Sequence, residues 1–169
     1  MFSVAVDHMF ETDNPIDFAQ DIACSQNWQC IRTSDHTISI SIQVEDKNYN
    51  VKLEWQEECS ALLFSASLAV KIENMHYETA LGTIEQINQN LWMGHFDFSG
   101  AEGNPTYRYT LLCRTNDGNN ALKETIHDLF NIALSECNRF YTTFEMIRDG
   151  DIRLHDNLQA IVFETLGEA

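Results

Sequence analysis

The sequence predicts an α+β fold in which an antiparallel sheet of five or six strands carries helices on one face. Three observations lead to this fold class. Apolar and polar residues alternate in consecutive segments between residues 29 and 72, helical spacing appears before and after them, and 169 residues suit one domain. Strands that follow one another directly favour antiparallel pairing over alternating βαβ units. We therefore expect one domain over residues 1–169, with residues 1–13 irregular.

The first helix is predicted to begin at Asn14. Asparagine is a strong N-cap, and Pro15 fits the first helical position because the N–H that it lacks is not needed there. The helix should end near Asn27, since a short strand is predicted over residues 29–33.

Three further strands are predicted from period-two alternation. Isoleucine and valine alternate with polar residues over residues 37–44, and a second alternating segment spans residues 49–55. The polar residues 45–48 between them predict a hairpin turn. After a charged turn at residues 56–58, a longer strand is predicted over residues 62–72.

Helical spacing over residues 74–93 gives way to strand alternation over residues 95–99. Gly94 stands at the change, and we expect it directly after the end of the helix because glycine adopts a positive φ without strain. Trp92 and Met93 are predicted to fill the corner between this helix and the sheet.

The last third of the chain is predicted to hold a second hairpin and a long helix. A strand over residues 106–114 returns after a segment rich in turn formers at residues 100–105. Helical spacing then continues over residues 119–147, is broken at residues 148–151, and resumes in a short terminal helix over residues 154–166.

The composition excludes several classes of partner. With 26 acidic and 10 basic residues, the formal charge of −16 repels phosphate backbones and anionic lipids, so we expect no nucleic acid and no membrane. The charge serves solubility, or alternatively attracts a basic protein segment. The five cysteines form no C-x-x-C pair, and the first residues lack the regions of a secretory signal. These features favour a reduced, cytoplasmic protein.

Two Glu-x-x-His pairs lie in predicted helices, Glu73 with His76 and Glu124 with His127. Two such pairs build di-metal sites in four-helix bundles, but those sites need four long helices that face one another. The predicted sheet does not provide them. We therefore expect neither a metal nor another cofactor.

His95 and Asp97 share one side of a predicted strand, so the carboxylate could orient the imidazole for acid or base chemistry. The sequence contains no nucleophile elbow and no phosphate-binding glycine loop to accompany them. We expect structural roles for both residues and no enzymatic activity. The alternative is a small-molecule sensor or cryptic enzyme with a cleft near His95 and Asp97.

Apolar residues off the main face of the long helix predict a second apolar face, which indicates a homodimer or a partner chain. The sheet offers further aromatic residues if the helices do not wholly cover their side. The candidate contact residues are Phe130, Leu134 and Tyr141 on the helix and Tyr49, Trp55 and Phe64 on the sheet.

Three segments carry a family resemblance: Leu91 to Phe98, Tyr107 to Arg114, and Glu136 to Phe144. Together they resemble the YbjN family of bacterial proteins, usually labelled sensory transduction regulators. The resemblance extends from about Pro15 to the end of the chain. It implies a fold similar to that of type III secretion chaperones, small acidic cytoplasmic proteins that dimerise and hold extended client segments on an antiparallel sheet. It implies no catalytic residue. We therefore expect a non-enzymatic, protein-binding regulator or chaperone-like protein.

Overall fold

A computed structural model describes residues 14–99, 103–113 and 118–151. Its six strands form one antiparallel sheet in the order β1-β2-β3-β4-β6-β5, and three helices pack against it. The strands are β1 (Gln29–Ser34), β2 (Thr37–Val44), β3 (Lys47–Gln56), β4 (Ala61–Leu68), β5 (His95–Ser99) and β6 (Asn104–Leu112). The helices are α1 (Pro15–Ser25), α2 (Tyr77–Asn88) and α3 (Asn119–Arg148). The predicted fold class is confirmed.

The start of α1 is the one that the sequence predicts. The Asn14 side-chain oxygen accepts the backbone N–H of Ile16 at 3.0 Å, and Pro15 occupies the first turn. The inner face of the helix, with Ile16 and Ile22, is buried against the first three strands and α3. The N-cap and the apolar face therefore act together to place α1.

Strand register puts the apolar residues on the side that carries the helices. Ile40 lies opposite Val51, and Leu53 lies opposite Phe64, so successive strands align their buried residues. The residues between them, such as Asn50, point to the other face, which is exposed and carries polar residues together with Ile31, Leu63 and Leu112. One core thus forms between the sheet and the helices.

Several predicted boundaries differ from the structure. β6 spans Asn104–Leu112, two residues earlier at each end than the predicted strand over residues 106–114. β4 ends at Leu68, although Val70 and Ile72 remain buried and the Ile72 N–H donates to Gly103 O at 3.0 Å. β3 begins at Lys47, inside the predicted turn. A short 3-10 turn precedes α2, and α2 ends at Asn88, five residues before its predicted end. The predicted terminal helix and residues 1–13 lie outside the described residues.

The long helix α3 lies across the sheet and supplies much of the core. Phe130 contacts Phe64 edge-on at 5.3 Å, and Phe140 and Phe144 both contact Phe96. The helix ends at Arg148, as the sequence predicts. Within the part of the chain that the structure describes, no helix combines the length and apolarity needed to cross a bilayer.

Candidate docking site at the Trp92 corner

The Trp92 corner, residues 89–94, connects α2 to the edge strand β5. Two asparagines end the helix here. The Asn90 side chain donates to Gln86 O at 2.9 Å, and the Asn88 side chain bonds to a strand instead of facing solvent. Asparagine side chains that bond backbone groups compete with helical hydrogen bonds. The chain therefore leaves the helix before Trp92.

Tyr107 on β6 fixes the backbone of the Trp92 corner by a hydrogen bond. Its hydroxyl donates to Met93 O at 2.8 Å, and burial raises the pKa of Tyr107, which keeps this donor protonated. Gly94 passes over the tyrosine ring with a φ of 67°. A Cβ at Gly94 would lie 2.4 Å from the Tyr107 ring and 2.7 Å from Arg108 O. Glycine is required at this position both for its φ and for the space that it leaves.

The outer edge of β5 is closed by side chains. Asn88 donates to Phe96 O at 3.0 Å and accepts the Phe96 N–H at 2.7 Å, so its amide pairs with the strand as a neighbouring strand would. The next outward N–H, from Phe98, donates to Asp97 Oδ1 at 2.7 Å. Such closure protects an edge from pairing with another chain. We infer that β5 is a poor acceptor for an added strand.

The aromatic core fixes the start of β5. Phe96 is buried and contacts Tyr107 at 5.5 Å, Phe140 at 5.8 Å and Phe144 at 5.5 Å. The side of the corner that faces the protein is therefore already filled. The Met93 carbonyl after Trp92 is bonded by the buried Tyr107, and Leu91 before it packs partly buried against the core.

Trp92 is 100% exposed and Met93 is 41% exposed. The prediction that these side chains fill the space between helix and sheet is wrong, because Phe96 and Tyr107 occupy that space. The prediction that Gly94 directly follows the helix is also wrong, although its positive φ is confirmed. Tryptophan is enriched among the residues that dominate binding energy at interfaces, so the exposed Trp92 is a candidate contact residue.

His95 and Asp97 lie on the open face of the sheet and are exposed. Asp97 accepts the Phe98 N–H, and its Oδ2 lies 3.2 Å from Arg108 Nε as an ion pair without the alignment of a hydrogen bond. The carboxylate is thus directed to groups other than the imidazole. One cavity lies between α1 and α3 and another beside the β2–β3 hairpin, and neither is lined by His95 or Asp97.

Four of the six predicted contact residues are buried in the core: Tyr49, Phe64, Phe130 and Tyr141. Trp55 and Leu134 are partly buried. The sheet and α1 bury more than one face of α3. Phe130 contacts Trp28, and Tyr141 contacts Tyr49. The described part of α3 has no exposed second apolar face of the kind that the sequence predicted. Tyr49 and Phe64 were candidates only if the helices left their side of the sheet open, and both are covered.

Sequence reasoning identified the segment around Trp92 and assigned its tryptophan to the wrong environment. Asn88 and Asn90, which favour caps and turns over helix interiors, were the available signal for an earlier helix end. A helix that ends at these asparagines places Trp92 on a loop.

The residues of both Glu-x-x-His pairs lie in the described part of the chain. Among residues 14–99, 103–113 and 118–151, no group of three or more His, Cys, Asp or Glu side chains is placed to hold a metal ion.

Comparison with models of known protein families gives a match over residues 21–146. The family is YbjN, with the description "Putative bacterial sensory transduction regulator". No curated protein matches the chain. The match covers the first strand through most of α3 and includes the Trp92 corner.

Proposed function

The chain belongs to the YbjN family, and from this premise we propose that it is a non-enzymatic regulator that binds another protein by inserting Trp92 into an apolar pocket of that partner. The description of the family supports the regulatory role. The observation that carries the binding mode is the fully exposed indole on an anchored backbone.

The exposed Trp92 side chain contributes favourable free energy when a partner buries it. Burying a tryptophan removes about 150 to 250 Å² from water, which corresponds to about 4 to 6 kcal/mol before the costs of association. Tyr107 and Gly94 fix the backbone beside it, so less conformational freedom is lost on binding than in a mobile loop. Tryptophan is among the residues that most often dominate interface energies.

The chemistry of the partner follows from the surroundings of Trp92. The net charge of −16 favours a partner whose pocket has a basic rim. The closed edge of β5 argues for a folded partner with a pocket, and against an extended segment that adds a strand at this edge. The chaperone-like mode of binding and the homodimer, both expected from the sequence, stay predictions.

The test begins with a photo-crosslinking amino acid at position 92 in the native host, followed by mass spectrometry of the crosslinked product. The partner identified in this way is then purified, and its affinity is measured by calorimetry. We expect Trp92→Ala to weaken binding more than about 30-fold. Ile31→Ala is the matched control, since Ile31 is an exposed apolar side chain on β1 at the opposite edge of the sheet and should leave the affinity unchanged.

Equal affinity of the wild type and the Trp92→Ala variant would overturn the proposal. A crosslink only to a second copy of the chain, together with a dimer that Trp92→Ala dissociates in sedimentation experiments, would replace it with self-association. Circular dichroism of both variants confirms that the fold is retained, because both side chains are exposed.

A further inference from the structure

A cavity of about 550 Å³ lies beside the β2–β3 hairpin, where the loop from α1 to β1 meets the sheet. We refer to it as the amide cavity. Six of its ten lining residues carry side-chain amides, and none is charged. The amides belong to Gln26, Asn27, Gln29, Gln43, Asn48 and Asn50. In a chain with 26 acidic residues, an uncharged lining selects for a neutral ligand, because a charged one would find no counter-ion there.

The backbone of β2 is also open at this cavity. Trp55 N–H donates to His36 O at 2.8 Å, and bonded pairs alternate along an antiparallel ladder. The backbone N–H and C=O groups of even-numbered β2 residues therefore point to β3, and those of odd-numbered residues point to β1. β1 begins at Gln29, opposite Ser41, so Gln43 has a partner on β3, Asn48, and none on β1. By the phase of the ladder, its backbone N–H and C=O point away from β3, past the start of β1.

Two aromatic residues complete the lining. The Tyr49 ring is buried against Tyr141 at 5.5 Å, and its hydroxyl, also buried, has no hydrogen-bond partner among the described residues. Buried polar groups normally have a partner. Trp28 contributes an indole whose position is fixed by Phe130 at 5.5 Å. The cavity therefore combines side-chain amides with part of an indole, whereas the Tyr49 hydroxyl has no surface open to it.

We propose that the amide cavity binds a neutral polyhydroxylated small molecule of the size of a mono- or disaccharide. A side-chain amide offers a donor and an acceptor side by side, which matches the hydroxyl groups of a sugar. The indole matches the apolar C–H face of a sugar ring, and the volume lies in the range of small-molecule sites. The cavity is at the opposite edge of the sheet from Trp92, and this proposal does not rest on the docking proposal.

Saturation-transfer NMR with a panel of neutral mono- and disaccharides tests the proposal, with sugar phosphates and uronic acids as charged counterparts. We expect saturable binding of at least one neutral sugar and at least tenfold weaker binding of its charged counterpart. Asn50→Ala and Gln29→Ala should each weaken binding about tenfold without changing the melting temperature, since both side chains are exposed. Asn131→Ala removes an amide from the outer face of α3 and should leave binding unchanged.

Tyr49→Phe separates a binding role from a structural one. It removes a buried hydroxyl that has no partner among the described residues, so it should leave the ligand-free protein at least as stable as the wild type and leave sugar binding unchanged. Failure of every neutral sugar to bind at millimolar concentration would overturn the proposal. So would equal binding of charged counterparts, preference for a short peptide, or an Asn50→Ala variant with unchanged affinity.

Discussion

Two tryptophans of this protein each lie between a helix and an edge strand, and their environments are opposite. Trp28 lies between α1 and β1 and follows Asn27, which has a φ of 57°. Trp92 lies between α2 and β5, near Gly94, which has a φ of 67°. Trp28 packs on Phe130, whereas Trp92 is fully exposed. Similar local chemistry thus leads to a partly buried indole packed against the core at one edge and to a fully exposed indole at the other.

The difference comes from what reaches each corner from distant segments. Phe130 of α3 extends to the corner beside β1 and leaves room for an indole. At the other corner, Phe96 and Tyr107 fill the space. The two edges of the sheet also differ in their backbone, because Asn88 bonds to the outer side of β5 while Gln43 on β2 has no partner on β1. The β5 edge of the sheet presents the exposed Trp92 side chain, and the opposite edge contains the amide cavity.

Phe130→Ala should have the largest effect on stability. The change removes the contacts to Trp28 and Phe64 from a buried site and should cost about 3 to 5 kcal/mol in urea unfolding. The emission of Trp28 should shift to longer wavelength as water reaches its ring. Leu81→Ala is the control, because Leu81 is exposed on α2 and should cost less than about 1 kcal/mol. Equal losses in the two variants would contradict the role assigned to Phe130.

Gly94→Ala tests how firmly the Trp92 corner is held. The new Cβ would meet the Tyr107 ring and Arg108 O at a positive φ, so we expect a loss of about 2 to 4 kcal/mol. Gly82→Ala is the matched control within α2. No atom lies within 4 Å of its added Cβ, and the change should be neutral or stabilise by up to about 1 kcal/mol. A neutral Gly94→Ala variant would show that the corner is mobile.

Asn88→Ala should have the smallest effect on stability and a separate effect on association. Loss of the two bonds to Phe96 should cost about 1 to 2 kcal/mol and expose the edge of β5. Light scattering should then detect mass that rises with protein concentration. Asn90→Ala removes a bond to Gln86 within the same stretch of chain and should leave the mass unchanged. Monomeric behaviour of Asn88→Ala at all concentrations would contradict the closure of this edge.

The sequence predicts much of the fold and part of the candidate site. The segment from Leu91 to Phe98 is one of the three that carry the family resemblance, and it contains both Trp92 and the predicted change from helix to strand. The exposure of Trp92 was missed, since hydrophobic size alone favours burial. The aromatic residues predicted to form a binding surface, such as Phe130 and Tyr141, are core residues instead.

The sequence by itself determined the kind, order and most of the boundaries of the helices and strands. N-caps, period-two alternation and turn formers act between residues a few positions apart, so their signals can be read from the chain alone. Tertiary structure decided that β6 lies between β4 and β5, that Trp28 is covered by Phe130, and that Trp92 is not covered. Those outcomes depend on which distant side chain reaches a site and fills its volume, and no local pattern encodes that.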